Sequence, residues 1–194
     1  MQHAPATASG DTGAAVFIFA SEFELRKADT MKLAHLEDSI SIDASPERTW
    51  ETLARYVDVG DFHTGVVSSR LIAGPTTGVG ADRHCNLPGN VEVWERITAW
   101  EEGKSYSYDV YKWKKFPLKA MHTTFGVDPS SVPNRSILYQ KLDYRLSPGF
   151  LTGLMKGRLR GAVRDTLLGY KHFIETGEPN VPLKKLRKLY KGVA

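Results

Sequence analysis

Asp82, His84 and Cys85 stand within four residues of one another and are the first place to look for catalysis or a metal. Their spacing argues against both. In an extended segment neighbouring side chains face opposite sides, so His84 and Cys85 cannot enter one cavity together. A zinc site needs three or four convergent ligands, and the six histidines contain no His-x-His or His-x-x-x-His spacing. No metal and no cofactor is expected. Cys85 as a nucleophile would need a partner base and a lowered pKa, and neither has a signature here; a small buried hydrophobe is the simpler reading. His63 and His122 are the candidate proton donors and acceptors for cyclisation chemistry. Arg158 and Asp165 lie seven apart in a helical segment. An inward Arg158 would anchor a ligand carboxylate or enolate oxygen; the plainer alternative is a solvated charge at the edge of an apolar stripe.

Aromatic residues crowd the alternating segments: Trp94, Trp100, Tyr106, Tyr108, Tyr111, Phe125, Tyr139 and Tyr144. An apolar ring with a polar handle suits a ligand pocket, although aromatics also favour strands for packing reasons alone. The C-terminal run from Pro182 to Lys191 holds five cations within eight residues, with Leu183, Leu186 and Leu189 or Tyr190 on one face. Such a segment either contacts an anionic lipid surface through residues 183–191 or rests on the domain as a short solvated helix. No nucleic-acid-binding motif accompanies it, so no nucleic acid is expected.

These residues need elements to hold them. Leu36, Ile40 and Ile42 alternate with polar neighbours as in a half-buried strand, with Asp38 the exception on the apolar parity. Ser45 can cap a helix, Pro46 suits its first position, and Glu47 favours the positive end of the dipole. Trp50, Leu53, Ala54 and Val57 then give one buried face. Residues 58–63 read as a short helical turn or bend. Further strands are expected at 66–73, 79–87, 91–100, 105–111, 119–127 and 135–146, with an interruption at 112–117. Seven strands in hairpin spacing predict an antiparallel meander. Ser147-Pro148 repeats the Ser45-Pro46 start and opens one long helix over 149–175, stopped by Gly177 and Pro179. Its apolar stripe runs through Leu151, Leu154, Met155, Leu159, Ala162, Val163, Thr166, Leu167, Tyr170 and Ile174. Gly149, Gly153, Gly157 and Gly161 recur every four residues, which means either close approach to a sheet or ligand, or tolerated low propensity.

At 194 residues and net charge +4, the chain is expected to form one domain with tails. The lone cysteine suits a reducing, cytoplasmic compartment. Residues 1–34 read as an extension outside the fold, and Met31 is an alternative start. The apolar run at 14–20 lacks the basic leader a signal peptide needs, since no Lys or Arg precedes Arg26. No run of 18 apolar residues exists. The expected organisation is 1–34 extension, 35–177 domain and 178–194 basic tail.

Three local pieces carry a family resemblance: Ile42-Asp43-Ala44-Ser45-Pro46-Glu47-Arg48-Thr49-Trp50, Gly78-Val79-Gly80-Ala81-Asp82-Arg83-His84-Cys85, and Glu95-Arg96-Ile97-Thr98-Ala99-Trp100-Glu101-Glu102 followed by Tyr106. In this order the chain resembles the polyketide cyclase/dehydrase and lipid-transport branch of the START/birch-pollen-allergen (SRPBCC) superfamily. The resemblance implies an α+β helix-grip fold, with short helices after the first strand and a seven-stranded curved antiparallel sheet wrapped around a long C-terminal helix. Between sheet and helix it implies a largely apolar cavity for a small hydrophobic molecule, whether lipid, polyketide-like or isoprenoid. On that basis Cys85, Leu87, Trp94, Tyr106, Tyr108, Met121, Phe125, Tyr139, Met155 and Leu159 are the expected ligand-contacting residues. A cyclase/dehydratase enzyme is the alternative, and a membrane-surface protein using the basic tail is a third. Leu87-Pro88-Gly89 is similar to the gating hairpin of plant abscisic-acid receptors, but no strand lysine equivalent to theirs is found, which argues against a hormone receptor.

Overall fold

The computed structural model describes residues 32–192. The extension expected over 1–34, with its apolar run and Met31, lies outside the described residues except at its last positions, where a strand already begins. The elements are β1 (Ala34–Ile42), α1 (Pro46–Leu53), a 3-10 turn (Val59–Asp61), β2 (Ser68–Ala73), β3 (Asp82–Leu87), β4 (Val91–Glu101), β5 (Ser105–Lys114), β6 (Leu118–Pro129), β7 (Ser136–Leu146), α2 (Phe150–Leu154), α3 (Lys156–Thr176) and α4 (Leu183–Leu189). All seven strands form one antiparallel sheet in the order β1-β7-β6-β5-β4-β3-β2. Register shifts interrupt β2/β3, β4/β5 and β6/β7, and each such bulge bends and twists the sheet. Curvature wraps the sheet's inner face around α3, the helix-grip arrangement.

Ser45 caps α1 by accepting from Arg48 N–H, and Pro46 occupies the first turn, as the sequence implied. Asp38, the odd residue on β1, faces α3 and pairs with Arg164. β5 runs through to Lys114, so the interruption reduces to a tight turn in which Lys115 adopts φ 57°. The long helix departs from expectation in two ways. It breaks at Met155 into α2 and α3, and Ser147 does not cap it. Ser147 N–H instead donates to Pro117 O, prolonging the sheet, while Thr152 Oγ1 accepts from Leu146 N–H. Gly177, at φ 75°, ends α3 as expected, its N–H bonded to Phe173 O.

The core sits between the C-terminal half of α3 and the sheet. Val163, Thr166, Leu167, Tyr170 and Ile174 are buried there, while Leu154 on the same expected stripe is 75% exposed. Gly153, Gly157 and Gly161 have open space around them, so close packing does not explain their spacing. The glycine that does permit close approach is Gly169. A Cβ there would stand 2.2 Å from Phe62 O. The basic tail packs back on the domain: Leu186 is buried, Arg187 pairs with Asp165, Lys185 with Glu178, and Tyr190 Oη lies 3.1 Å from His172 Nδ1. Among the described residues no helix is long and apolar enough to cross a membrane.

Candidate ligand-binding site

A cavity of about 220 Å³ opens between the sheet and the N-terminal half of α3. Its apolar wall is Val66, Leu87, Val93, Val110, Phe116, Leu118, Met121 and Leu142 facing Leu159, Ala162 and Val163. Period-two alternation supplies most of that wall, with Val93 on β4, Val110 on β5, Met121 and Thr123 on β6, and Gln140 and Leu142 on β7 pointing inward. Leu118, of opposite parity to Met121, joins them across the bulge between Leu118 and Ala120. Polar groups are few: His63, Arg83, Glu95, Tyr108, Thr123, Gln140 and Thr166.

Arg83 is the dominant charge, and it is already matched. Its Nε donates to Glu95 Oε2 at 2.6 Å, its Nη1 donates to the Tyr56 carbonyl, and its guanidinium lies 3.8 Å from the centre of the Tyr56 ring. Both side chains are nearly enclosed, at 2% and 10% exposure. Burial disfavours the guanidinium charge, but Glu95 beside it more than offsets this and holds the pKa above its ordinary value. His63 is neutral: burial, and then the Arg83 charge, lower its pKa to about 3. Its tautomer follows from its partners. Nδ1 accepts from Gly65 N–H, and Thr166 Oγ1 spends its own proton on Ala162 O, so His63 Nε2–H donates to Thr166. Burial pushes the Tyr108 hydroxyl well above its usual pKa. Gln140 is buried, and its Oε1 has no hydrogen-bond partner among the described residues.

Of the ten expected contact residues, Leu87, Tyr108, Met121 and Leu159 line this cavity. Tyr106 and Phe125 face inward but belong to the aromatic core. Tyr106 packs on Tyr56, Trp50 and Trp100, and Phe125 on Tyr170 at 5.3 Å. Cys85 also points inward but lies behind Glu95, 3.7 Å from its Oε2; burial raises its thiol to about 12, with the Glu95 charge adding to the effect. Trp94 faces the outer surface, against the His84 ring and Lys112. Tyr139 lies outside too, over Gly126, where a Cβ would stand 2.2 Å from its hydroxyl. Met155 sits at the α2–α3 break, packed on the core. His122 is on the outer face, paired with Asp109 at 2.6 Å. Arg158 is exposed, and Asp165 is committed to Arg187. Neither forms a ligand anchor in the cavity.

Sequence reasoning missed Arg83, Glu95, Gln140, Thr123 and Thr166. The signal was present: Arg83 shares its parity with Cys85 and Leu87, and Glu95 with Val93 and Ile97. The described residues hold no group of three or more His, Cys, Asp or Glu arranged to bind a metal.

The sequence matches the family model described as polyketide cyclase/dehydrase and lipid transport over residues 34–172. The chain belongs to this family. Similar solved structures include XoxI from Bacillus cereus, 21% identical, with a TM-score of 0.63 over 73% of this chain and 95% of that one. A START superfamily protein from Mycobacterium smegmatis is 12% identical, with a TM-score of 0.58 over 71% and 97%. Ara h 8.0201 is 12% identical, with a TM-score of 0.56 over 74% and 98%. These likenesses bear on the fold alone. No curated protein matches the sequence.

Proposed function

We propose that the protein binds or carries a small, uncharged, mainly apolar molecule, with a lipid, polyketide-like or isoprenoid skeleton and one hydroxyl. The observation that carries this reading is the cavity's combination of an apolar wall with a fully neutralised Arg83–Glu95 pair. Burial of hydrocarbon against that wall drives binding at about 25 cal/mol per Å². A carboxylate would enter without a spare cation to meet it and would lose its hydration, whereas a hydroxyl can donate to the unpaired Gln140 Oε1. The cavity, at about 220 Å³, is below the roughly 300–1,000 Å³ usual for drug-sized ligands, so a longer chain leaves its remainder outside the mouth. Binding rather than catalysis is favoured because His63 is neutral with both ring nitrogens engaged, and His122 faces away. A cytoplasmic setting fits the single free thiol.

Native mass spectrometry of protein purified from its own cells is expected to show a neutral co-purifying ligand. In titrations, a fatty alcohol is expected to bind the full chain at least tenfold more tightly than the fatty acid of equal length. Ala162→Trp, which fills the mouth from an exposed helix position, is expected to abolish binding without unfolding the protein. Equal affinity for acid and alcohol, or full binding by Ala162→Trp, would refute the assignment.

A further inference from the structure

Two segments of the chain contain no Asp or Glu and are rich in cations. Residues 110–127 carry Lys112, Lys114, Lys115 and Lys119, and residues 144–163 carry Arg145, Lys156, Arg158 and Arg160. The fold brings them to one end of the molecule. Leu118 pairs with Leu146 in the β6–β7 register, Ala120 with Arg145, and Ser147 N–H donates to Pro117 O at 2.8 Å. Of these cations only Lys114 forms an ion pair with a described acid, Glu92. Phe116 and Leu159, from the same two segments, line the cavity, so this end borders it.

The same end exposes large apolar side chains. Phe150 is 70% exposed and Leu154 75%, and no residue of α2 is buried. The two are four apart and share a face. The bonds Met155 N–H to Leu151 O and Leu159 N–H to Met155 O carry the helical spacing past the break, so Arg158 continues the same line. Two exposed hydrophobes framed by unpaired cations match the make-up of an interfacial helix, with apolar groups entering the acyl boundary and cations meeting anionic headgroups. The basic tail lacks this arrangement, because Leu186 is buried and Arg187 and Lys185 are paired within the domain.

We propose that this end of the molecule, made of α2, the first turns of α3 and the β5–β6 turn beside the cavity, docks on the surface of an anionic lipid bilayer. The β5–β6 turn and α3 supply cations, and Phe150 and Leu154 insert. This surface is defined without reference to any occupant of the cavity, and its test uses no added ligand. Sedimentation of the full chain with phosphatidylcholine vesicles, with and without phosphatidylserine, is the direct measurement. Binding is expected only with phosphatidylserine and is expected to weaken as salt rises. Lys156→Glu/Arg158→Glu and, separately, Phe150→Ser/Leu154→Ser are each expected to weaken it more than about tenfold. These positions are exposed, and circular dichroism and fatty-alcohol binding are expected to stay as in the parent. The tail variant Lys184→Glu/Lys188→Glu is expected to retain most binding. Failure to sediment with phosphatidylserine vesicles, equal sedimentation with phosphatidylcholine alone, or loss only in the tail variant would each overturn the proposal.

Discussion

Replacing Arg83 alone strands Glu95 as an uncompensated charge in a largely apolar cavity wall. Arg83→Met is therefore expected to cost about 3–5 kcal/mol of stability, read as a fall in urea midpoint. Arg83→Met/Glu95→Leu removes both charges together and is expected to recover most of that loss; a double variant no more stable than the single one would show that the pair is not the reason for the cost. His63 gives a pH prediction of definite sign. It is neutral when folded, with a pKa of about 3, and ordinary at 6.5 when unfolded. The unfolded chain therefore takes up a proton that the folded chain refuses, and this residue's effect on stability becomes increasingly unfavourable as pH falls below 6.5. His63→Gln is expected to flatten the acid side of the stability profile.

At the scale of elements, α3 contains two kinds of glycine. Gly161 faces open space, so Gly161→Ala is expected to stabilise the protein by about 1 kcal/mol through helix propensity. Gly169→Ala makes the same gain but drives a methyl into the Phe62 carbonyl, and is expected to cost about 1–3 kcal/mol net. Thermal unfolding of the two variants checks the contrast. The series Gly149, Gly153, Gly157 and Gly161 does not include Gly169, whose role depends on which loop lies across the helix. The sheet was easier to read. Strand number, hairpin order and the Ser45-Pro46 helix start followed from alternation and turn chemistry, which are local. The site was legible only where parity sufficed. Leu87, Tyr108, Met121 and Leu159 line the cavity, but Trp94 and Tyr139 lie on the opposite face of their strands. Tyr106 and Phe125 show a second limit: both inward aromatics fill the core instead of the pocket, and depth along the strand is set by what packs from the helix side. Arg83 and Glu95 were overlooked because each looks like a surface charge until the cross-strand partner is known.

Across the whole molecule, one row of side chains crosses six strands on the outer face. His35, Asp143, His122, Asp109, Arg96 and Asp82 stand opposite one another in successive registers, alternating in sign when both histidines are protonated. Asp143 raises the pKa of His35, and Asp109 raises that of His122. With both folded values above 6.5, the two histidines' contribution is complete below that pH and is lost as pH rises through the folded values, while the Arg96–Asp82 pair persists. His35→Gln/His122→Gln is expected to remove this alkaline-side decline in the urea midpoint, and a decline that persists would place its origin elsewhere. The inner side holds a different kind of asymmetry. α3 is clamped near its C-terminus, where Lys171 donates to Ser41 O, Glu175 accepts from Asp43 N–H, and Gly169 lies against Phe62. Its first turns carry exposed glycines and only half-buried apolar contacts. Mechanically α3 is rooted in the core at one end, while the tip that roofs the cavity is held more lightly through α2, where Thr152 Oγ1 accepts from Leu146 N–H and Thr152 O accepts from the Tyr144 hydroxyl. The lightly held tip is expected to yield before the root, so that an occupant would change the cavity's size without unfolding the sheet. Amide hydrogen exchange is expected to record that gradient, fast at 157–162 and slow at 166–174, with an occupant slowing only the tip.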